Sequence, residues 1–141
     1  MKKQKEIPLG IRNNNPGNIR NNGETFIGEV KTGGEFKVFS TMNYGFRAMF
    51  CCFNTKIKRG VNTIRGIISE WAPEKDGNDT EGYIRNVCKM TKIKEDQPLD
   101  IRNEKDMVAL ATAICQQENS QCPSETIIKD GYWKMRKDRS L

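Results

Sequence analysis

Glu118 interrupts an apolar helical stripe, which makes it the side chain best placed for acid chemistry. At 100° per residue, Met107, Ala111 and Ile114 share one face, with Leu110 beside them. Glu118 follows Met107 by eleven residues, about 1100°, and so returns to within roughly 20° of the same line. A carboxylate therefore stands at the C-terminal end of the stripe, where an apolar side chain is expected. Burial removes hydration from a charged carboxylate, and a helix C-terminus adds negative potential, so both oppose ionisation there. A carboxyl group kept protonated near neutral pH is what a general acid needs to protonate a glycosidic oxygen. The alternative is that the helix has frayed by this point and Glu118 is simply exposed.

The other acids have plainer roles. Glu70 falls off the apolar face of its helix, and Asp79 and Glu81 sit at a helix start, where acids act as caps. Glu24, Glu29 and Glu35 lie in or beside a hairpin, where one could act as a second catalytic carboxylate or merely line a solvated strand edge. Asn13, Asn14, Asn15 and Asn18 carry amides suited to sugar hydroxyls and acetamido groups, or to the backbone of their own loop. Arg12 and Arg20 could meet substrate carboxylates or remain solvated. Tyr83 either lines a cleft or fills the core, and Tyr44 holds a similar place after the hairpin. Trp71 continues the Ile64–Ile68 stripe and reads as core rather than as a sugar platform.

The chain has no His and no CxxC pair, which removes the usual zinc frameworks and every Ser-His or Cys-His pair; no cofactor and no metal are expected. The five cysteines, Cys51, Cys52, Cys88, Cys115 and Cys122, read as small buried residues of a reducing compartment. The spacing from Cys115 to Cys122 could close a loop by disulfide, which the sequence leaves open.

These side chains must be positioned by a mostly helical α+β fold. Residues 1–9 form a polar arm, and residues 10–141 a single domain. Residues 10–24 are rich in Asn and Gly and read as a long irregular loop. Phe26–Val30 and Glu35–Phe39 are strand candidates joined by a turn at Lys31–Gly34. Five helices follow. The first is capped by Ser40 or Thr41 and ends at Gly60; the second is capped by Asn62 or Thr63 and stopped by Pro73; the third is capped by Asn78 or Asp79. The fourth spans Met107–Glu118, and the fifth runs from Ser124 to Lys137.

A length of 141 residues suits one compact domain, and 35% hydrophobic residues suffice for a modest core. The net charge of +6 favours anionic partners such as nucleic acid, acidic membrane or cell-wall polymer. Its basic residues are dispersed, with no aromatic-interleaved patch, so nucleic acid is not the expected partner. No run of about 18 apolar residues predicts a membrane span. The opening MKKQKEIPLG has no apolar segment behind its lysines and is not expected to be a signal peptide.

Five segments in order carry a resemblance: GIRNNNPGNIR (Gly10–Arg20), FKVFSTMNYGFRAM (Phe36–Met49), RGVNTIRGIISEWAP (Arg59–Pro73), NDTEGYIRNV (Asn78–Val87) and ALATAICQQENS (Ala109–Ser120). Together they resemble a phage-associated lysozyme-like family marked by RNNNPGNIR, whose members are virion structural or peptidoglycan-degrading proteins. More distantly, Asn14–Ile19, Phe36–Ser40 and Thr80–Tyr83 are similar to three segments of flagellar-type glucosaminidases. In those enzymes the catalytic glutamate precedes the Asn-rich segment. Here ATAICQQENS resembles the glutamate-bearing helix end of lysozyme-type transglycosylases, although Asn119 stands where Ser is usual. The resemblance thus implies a circularly permuted lysozyme or lytic transglycosylase fold that cleaves the β-1,4 strands of peptidoglycan. It implies Glu118 as the catalytic group and Asn13, Asn14, Asn15, Asn18, Arg20, Tyr44, Thr80 and Tyr83 as substrate contacts. The implied setting is a protein made in the bacterial cytoplasm that acts at the cell wall. Delivery would be by a phage particle, holin-type release or a secretion apparatus. The alternative is an inactive wall-binding or virion structural protein.

Overall fold

Side-chain caps decide where the helices begin. The computed structural model describes residues 6–141. One helical turn, α1 (Leu9–Arg12), precedes the short strands β1 (Glu29–Val30) and β2 (Val38–Phe39). Then come α2 (Met42–Lys58), α3 (Ile64–Trp71), α4 (Thr80–Thr91), α5 (Glu104–Asn119) and α6 (Glu125–Asp138). A one-turn 3-10 helix at Glu74–Asp76, which sequence patterning does not reveal, links α3 to α4. Thr41 Oγ1 accepts from Tyr44 N at 3.3 Å at the head of α2. Thr63 accepts from Gly66 N at 3.1 Å before α3, Asp79 from Gly82 N at 3.0 Å before α4, and Asn103 from Asp106 N at 3.0 Å before α5. Each cap satisfies an amide that the helix leaves free. The Asn103 cap starts α5 three residues earlier than apolar periodicity alone indicates. Ser124 makes no side-chain cap bond to α6.

The core is one cluster reaching from Phe26 to Met135. Helix α2 buries Phe46, Met49, Phe50 and Phe53, and α6 lies against it. The approach is tight at Gly131, where a Cβ would come within 2.7 Å of Phe46 Cβ. Phe50 meets Tyr132 edge-on with ring centroids 5.2 Å apart. Polar bonds fix the register of the two helices: Asn43 Nδ2 donates to Asp130 Oδ2, and Arg47 Nε to Asp138 Oδ2, each at 2.8 Å. Helix α5 packs against α4, α6, α2 and α1, and buries Val108, Ala113 and Cys115 as well as the expected Met107, Leu110, Ala111 and Ile114. Among the described residues no helix is long and apolar enough to cross a membrane.

Two expected boundaries change. Of the polar arm expected over residues 1–9, residues 1–5 lie outside the described residues. Leu9 already belongs to α1, which also takes the first residues of the expected loop. The hairpin is smaller than expected. Only Glu29↔Phe39 and Val30↔Val38 pair, and Phe36 bridges to Arg20 instead. Lys37 N donates to Ile19 O and Asn21 N to Glu35 O, both at 2.9 Å, so residues 35–37 use their edge on the Asn-rich segment. A buried ion pair ties the two arms of the hairpin together. The side chains of Lys37 and Glu29 are 1% and 3% exposed, and Lys37 Nζ donates to Glu29 Oε1 at 3.0 Å and to Glu24 O at 2.7 Å.

Removing one member of a buried pair strands the other charge, so Glu29→Ala should cost about 3–5 kcal/mol in chemical denaturation. The double variant Glu29→Leu with Lys37→Met should recover most of that loss.

Candidate active site

The Asn-rich segment is held from several sides and ends at Glu118. Phe39 N donates to Asn13 O at 2.9 Å, which fastens the start of the loop to β2. Asn14 adopts a left-handed φ of 51°, and its Nδ2 donates to Phe39 O at 3.1 Å. Asn15 is fully buried. Its Nδ2 donates to Ile19 O and Lys37 O at 3.0 and 2.9 Å, and its Oδ1 accepts from Ile19 N at 2.9 Å. Pro16 O accepts from Asn119 Nδ2 at 2.9 Å, and Gly17 O from the Trp71 indole at 3.0 Å. Glycines permit this closeness: a Cβ on Gly45 of α2 would collide with Asn14 O, and one on Gly17 would lie 2.6 Å from Trp71 Cζ2.

The next residue, Asn18, also takes a left-handed φ, 49°, and donates through Nδ2 to Glu118 Oε1 at 2.8 Å. Tyr83 of α4 donates through its hydroxyl to Glu118 Oε2 at 2.9 Å. Glu118 is half-buried in the last turn of α5, which stays helical through Asn119, so the frayed alternative does not hold. Burial, and then the neighbouring Glu118 carboxylate, push the Tyr83 phenol well above its ordinary range. Tyr83 therefore keeps its hydroxyl proton.

Two hollows flank the acid. One, of about 270 Å³, is lined by Glu118 and Tyr83 together with Asn78, Asp79, Gly82, Asn86 and Gln117. The other, of about 250 Å³, has Asn18 on its wall with Arg20, Lys56, Trp71 and Asp76. The Asn18–Glu118 hydrogen bond joins one wall to the other. A larger hollow of about 690 Å³ between α5 and α6 is lined by Val108, Thr112, Pro123 and Ile128, and neither Glu118 nor any residue of the Asn-rich segment reaches it. Among the described residues no three His, Cys, Asp or Glu side chains gather as a metal ion would require.

Of the expected substrate contacts, Asn18 and Tyr83 reach Glu118, and Arg20 lines the neighbouring hollow, paired with Glu35 and set over the Phe36 ring. Four others bond or pack within the scaffold. Asn15 has no exposed surface, and Asn14 spends its amide on β2. Thr80 is buried and donates to Ala72 O at 2.6 Å. Tyr44 packs on Gly28 beneath Lys134, whose Nζ lies 5.4 Å from the ring centroid. Asn13 holds β2 through its backbone carbonyl, with its side chain half-buried at the end of α1. Arg12 is exposed. Trp71 is part core, packed at 5.6 Å from the Phe53 ring, and part clamp on Gly17.

Sequence reasoning missed Asn78, Asn86, Gln117 and the anchoring role of Asn119. Asn86 donates to Gln117 Oε1 at 3.1 Å across the hollow. Its spacing from Tyr83, three residues along one helix, was the signal available. Of the candidate second carboxylates, Glu29 is consumed by Lys37 and Glu35 faces Arg20. Glu24 lines a separate hollow under the hairpin. Asp79 shares the hollow with Glu118, where its Oδ1 caps α4.

No family model matches the chain. Protein P5 of Pseudoalteromonas phage PM2 is 37% identical to it over 134 residues, covering 90% of this chain and 81% of that protein.

Asn119→Ala would leave the Pro16 carbonyl without its side-chain donor. It should cost about 1–3 kcal/mol in thermal or chemical denaturation and speed amide exchange across residues 16–19 more than elsewhere.

Proposed function

We propose that this chain, which belongs to the family of Protein P5 of Pseudoalteromonas phage PM2, cleaves the β-1,4 glycan strands of bacterial peptidoglycan with Glu118 as general acid. The observation that carries the reading is the meeting of Glu118, Asn18 and Tyr83 between two open hollows. A carboxyl group so held has a fixed direction and is open to a ligand on one side. The hollow beside it is walled by side-chain amides, which offer donors and acceptors together, as hydroxyl and acetamido groups require. The circularly permuted lysozyme-like arrangement accounts for the order of parts: the Asn-rich segment comes first, the tyrosine helix second and the glutamate helix third.

In the reaction, the protonated Glu118 carboxyl gives its proton to the glycosidic oxygen as the bond to the anomeric carbon breaks. Both holding groups adapt to either protonation state. The Tyr83 hydroxyl can turn from donor to acceptor. Asn18 carries a buried Oδ1 without a partner among the described residues, which a rotated amide would present to a protonated Glu118. The resulting carboxylate then serves as base. A hydroxyl of the same sugar can be its substrate, closing an anhydro ring as lytic transglycosylases do, and this route needs no second carboxylate. Hydrolysis would draw on Asp79, the other carboxylate of the hollow. The phage-borne relative supports delivery to the wall by a virion or at lysis. A second reading, a binding or virion structural module without catalysis, is favoured by one fact: both Glu118 oxygens already accept a bond from the protein.

Mass spectrometry of soluble products from purified peptidoglycan tests the reading. Wild-type protein should release anhydro-muropeptides. Glu118→Gln should lower the rate by about 10³-fold or more, in the range of a lost general acid. Tyr83→Phe should lower it about tenfold, the equivalent of one hydrogen bond. Asp79→Asn keeps a good cap and should retain most activity; reducing-end products that vanish in this variant would instead establish hydrolysis. Folded wild-type protein that binds the wall and yields no product would leave only the binding reading.

A further inference from the structure

The chain reverses at the end of α5. Ser120 adopts φ 58°, and its amide closes on Gln116 O at 2.8 Å, so the segment before α6 turns back beside the helix. The return brings Cys122 over the last turns of α5. Cys122 Sγ donates to Thr112 O at 3.3 Å, and Cys115 Sγ donates to Gln121 O at 3.4 Å. Cys115 Sγ thus rests on the carbonyl of the residue before Cys122, and Cys122 Sγ on a carbonyl three residues before Cys115 on the same helix face, so the two side chains are neighbours.

The pair is asymmetric. Cys115 is fully buried, whereas Cys122 is half-exposed. The contact with Cys115 draws the Cys122 thiol below its ordinary range; the same contact, followed by burial, pushes Cys115 up. The remaining cysteines are poorer nucleophiles or more deeply enclosed. Burial raises Cys52 to about 12 and raises Cys88 as well, and Cys51 is buried within α2.

We propose that Cys115 and Cys122 form a disulfide site, closed by a low-molecular-weight or protein disulfide when the chain meets an oxidising compartment. The Cys122 thiolate attacks one sulfur of the oxidant, whose S–S bond breaks and releases a thiolate. Cys115 gives up its proton to solvent and attacks Cys122 Sγ in the mixed disulfide, expelling the second thiolate. The two cysteines lose two electrons and two protons, and the oxidant becomes two thiols. The new bond ties the return segment to α5 one turn before Asn119, whose Nδ2 lies 3.8 Å from Cys115 Sγ and also holds Pro16 O. Oxidation therefore fastens the base on which the Asn-rich loop and Glu118 are set. In a reducing compartment the same pair remains as thiols.

Full-length protein should be incubated with oxidised glutathione or with a phosphine reductant, then digested and mapped. The expected result is one new peptide joining Cys115 to Cys122, lighter by two hydrogens. The oxidised protein should melt about 5 °C higher than the reduced protein, and Cys122→Ser should abolish that gap. Should that variant fold poorly, pulsed alkylation of wild type replaces it: Cys122 should react first when reduced, and neither Cys115 nor Cys122 when oxidised. A stable glutathione adduct on Cys122 beside a free Cys115 would overturn the proposal. So would links through Cys51, Cys52 or Cys88, or a joined peptide with no rise in melting temperature.

Discussion

Everything at the candidate site depends on a backbone carbonyl being held by a side chain almost at the other end of the chain. Asn119 Nδ2 donates to Pro16 O, and Trp71 takes the next carbonyl, Gly17 O. These bonds satisfy polar groups that a loop pressed onto a core would otherwise bury unpaired, a cost of about 1–3 kcal/mol each. They also leave the segment little freedom. Asn15 binds Lys37 O and Ile19 O at once, and Gly45 lets α2 close in from below. With so many bonds around it, Asn18 can sit in a left-handed conformation that an unsupported asparagine would visit only part of the time.

The same economy runs through α5. One face of the helix supplies Met107, Leu110, Ala111 and Ile114 to the core, and its last turn supplies Glu118 to the hollow and Asn119 to the loop. The acid is therefore carried on a helix packed into the core. A group on a packed helix is positioned more narrowly than one on a loop. Tyr83 obeys the same logic on α4, which buries Ile84 and Val87 just beyond it.

Much of this was legible in the sequence, and the parts that were not share a cause. The caps were legible to within two residues, Ser40 or Thr41, Asn62 or Thr63, and Asn78 or Asp79, because a cap is a local event, decided within four residues. Glu118 was legible because a carboxylate on an apolar stripe violates a periodicity. The hairpin was overestimated because Phe36 and Lys37 alternate like strand residues yet give their backbone edge to residues 19–21. The asparagines were the hardest. Asn14, Asn15 and Asn18 are chemically identical, and only tertiary contacts assign two to the scaffold and one to the acid. Asn119 looked like a departure from a familiar motif and proves to be the anchor of the loop.

Asn18 and Glu118 lie 100 residues apart along the chain, with Tyr83 between them. Closing so long a loop costs entropy before any contact offsets it. During synthesis the asparagine and the tyrosine emerge well before the acid does. Until α5 has left the ribosome and docked, the Asn-rich segment lacks its Pro16 anchor and the hollow lacks a wall. The candidate site thus comes into being only when α5 docks.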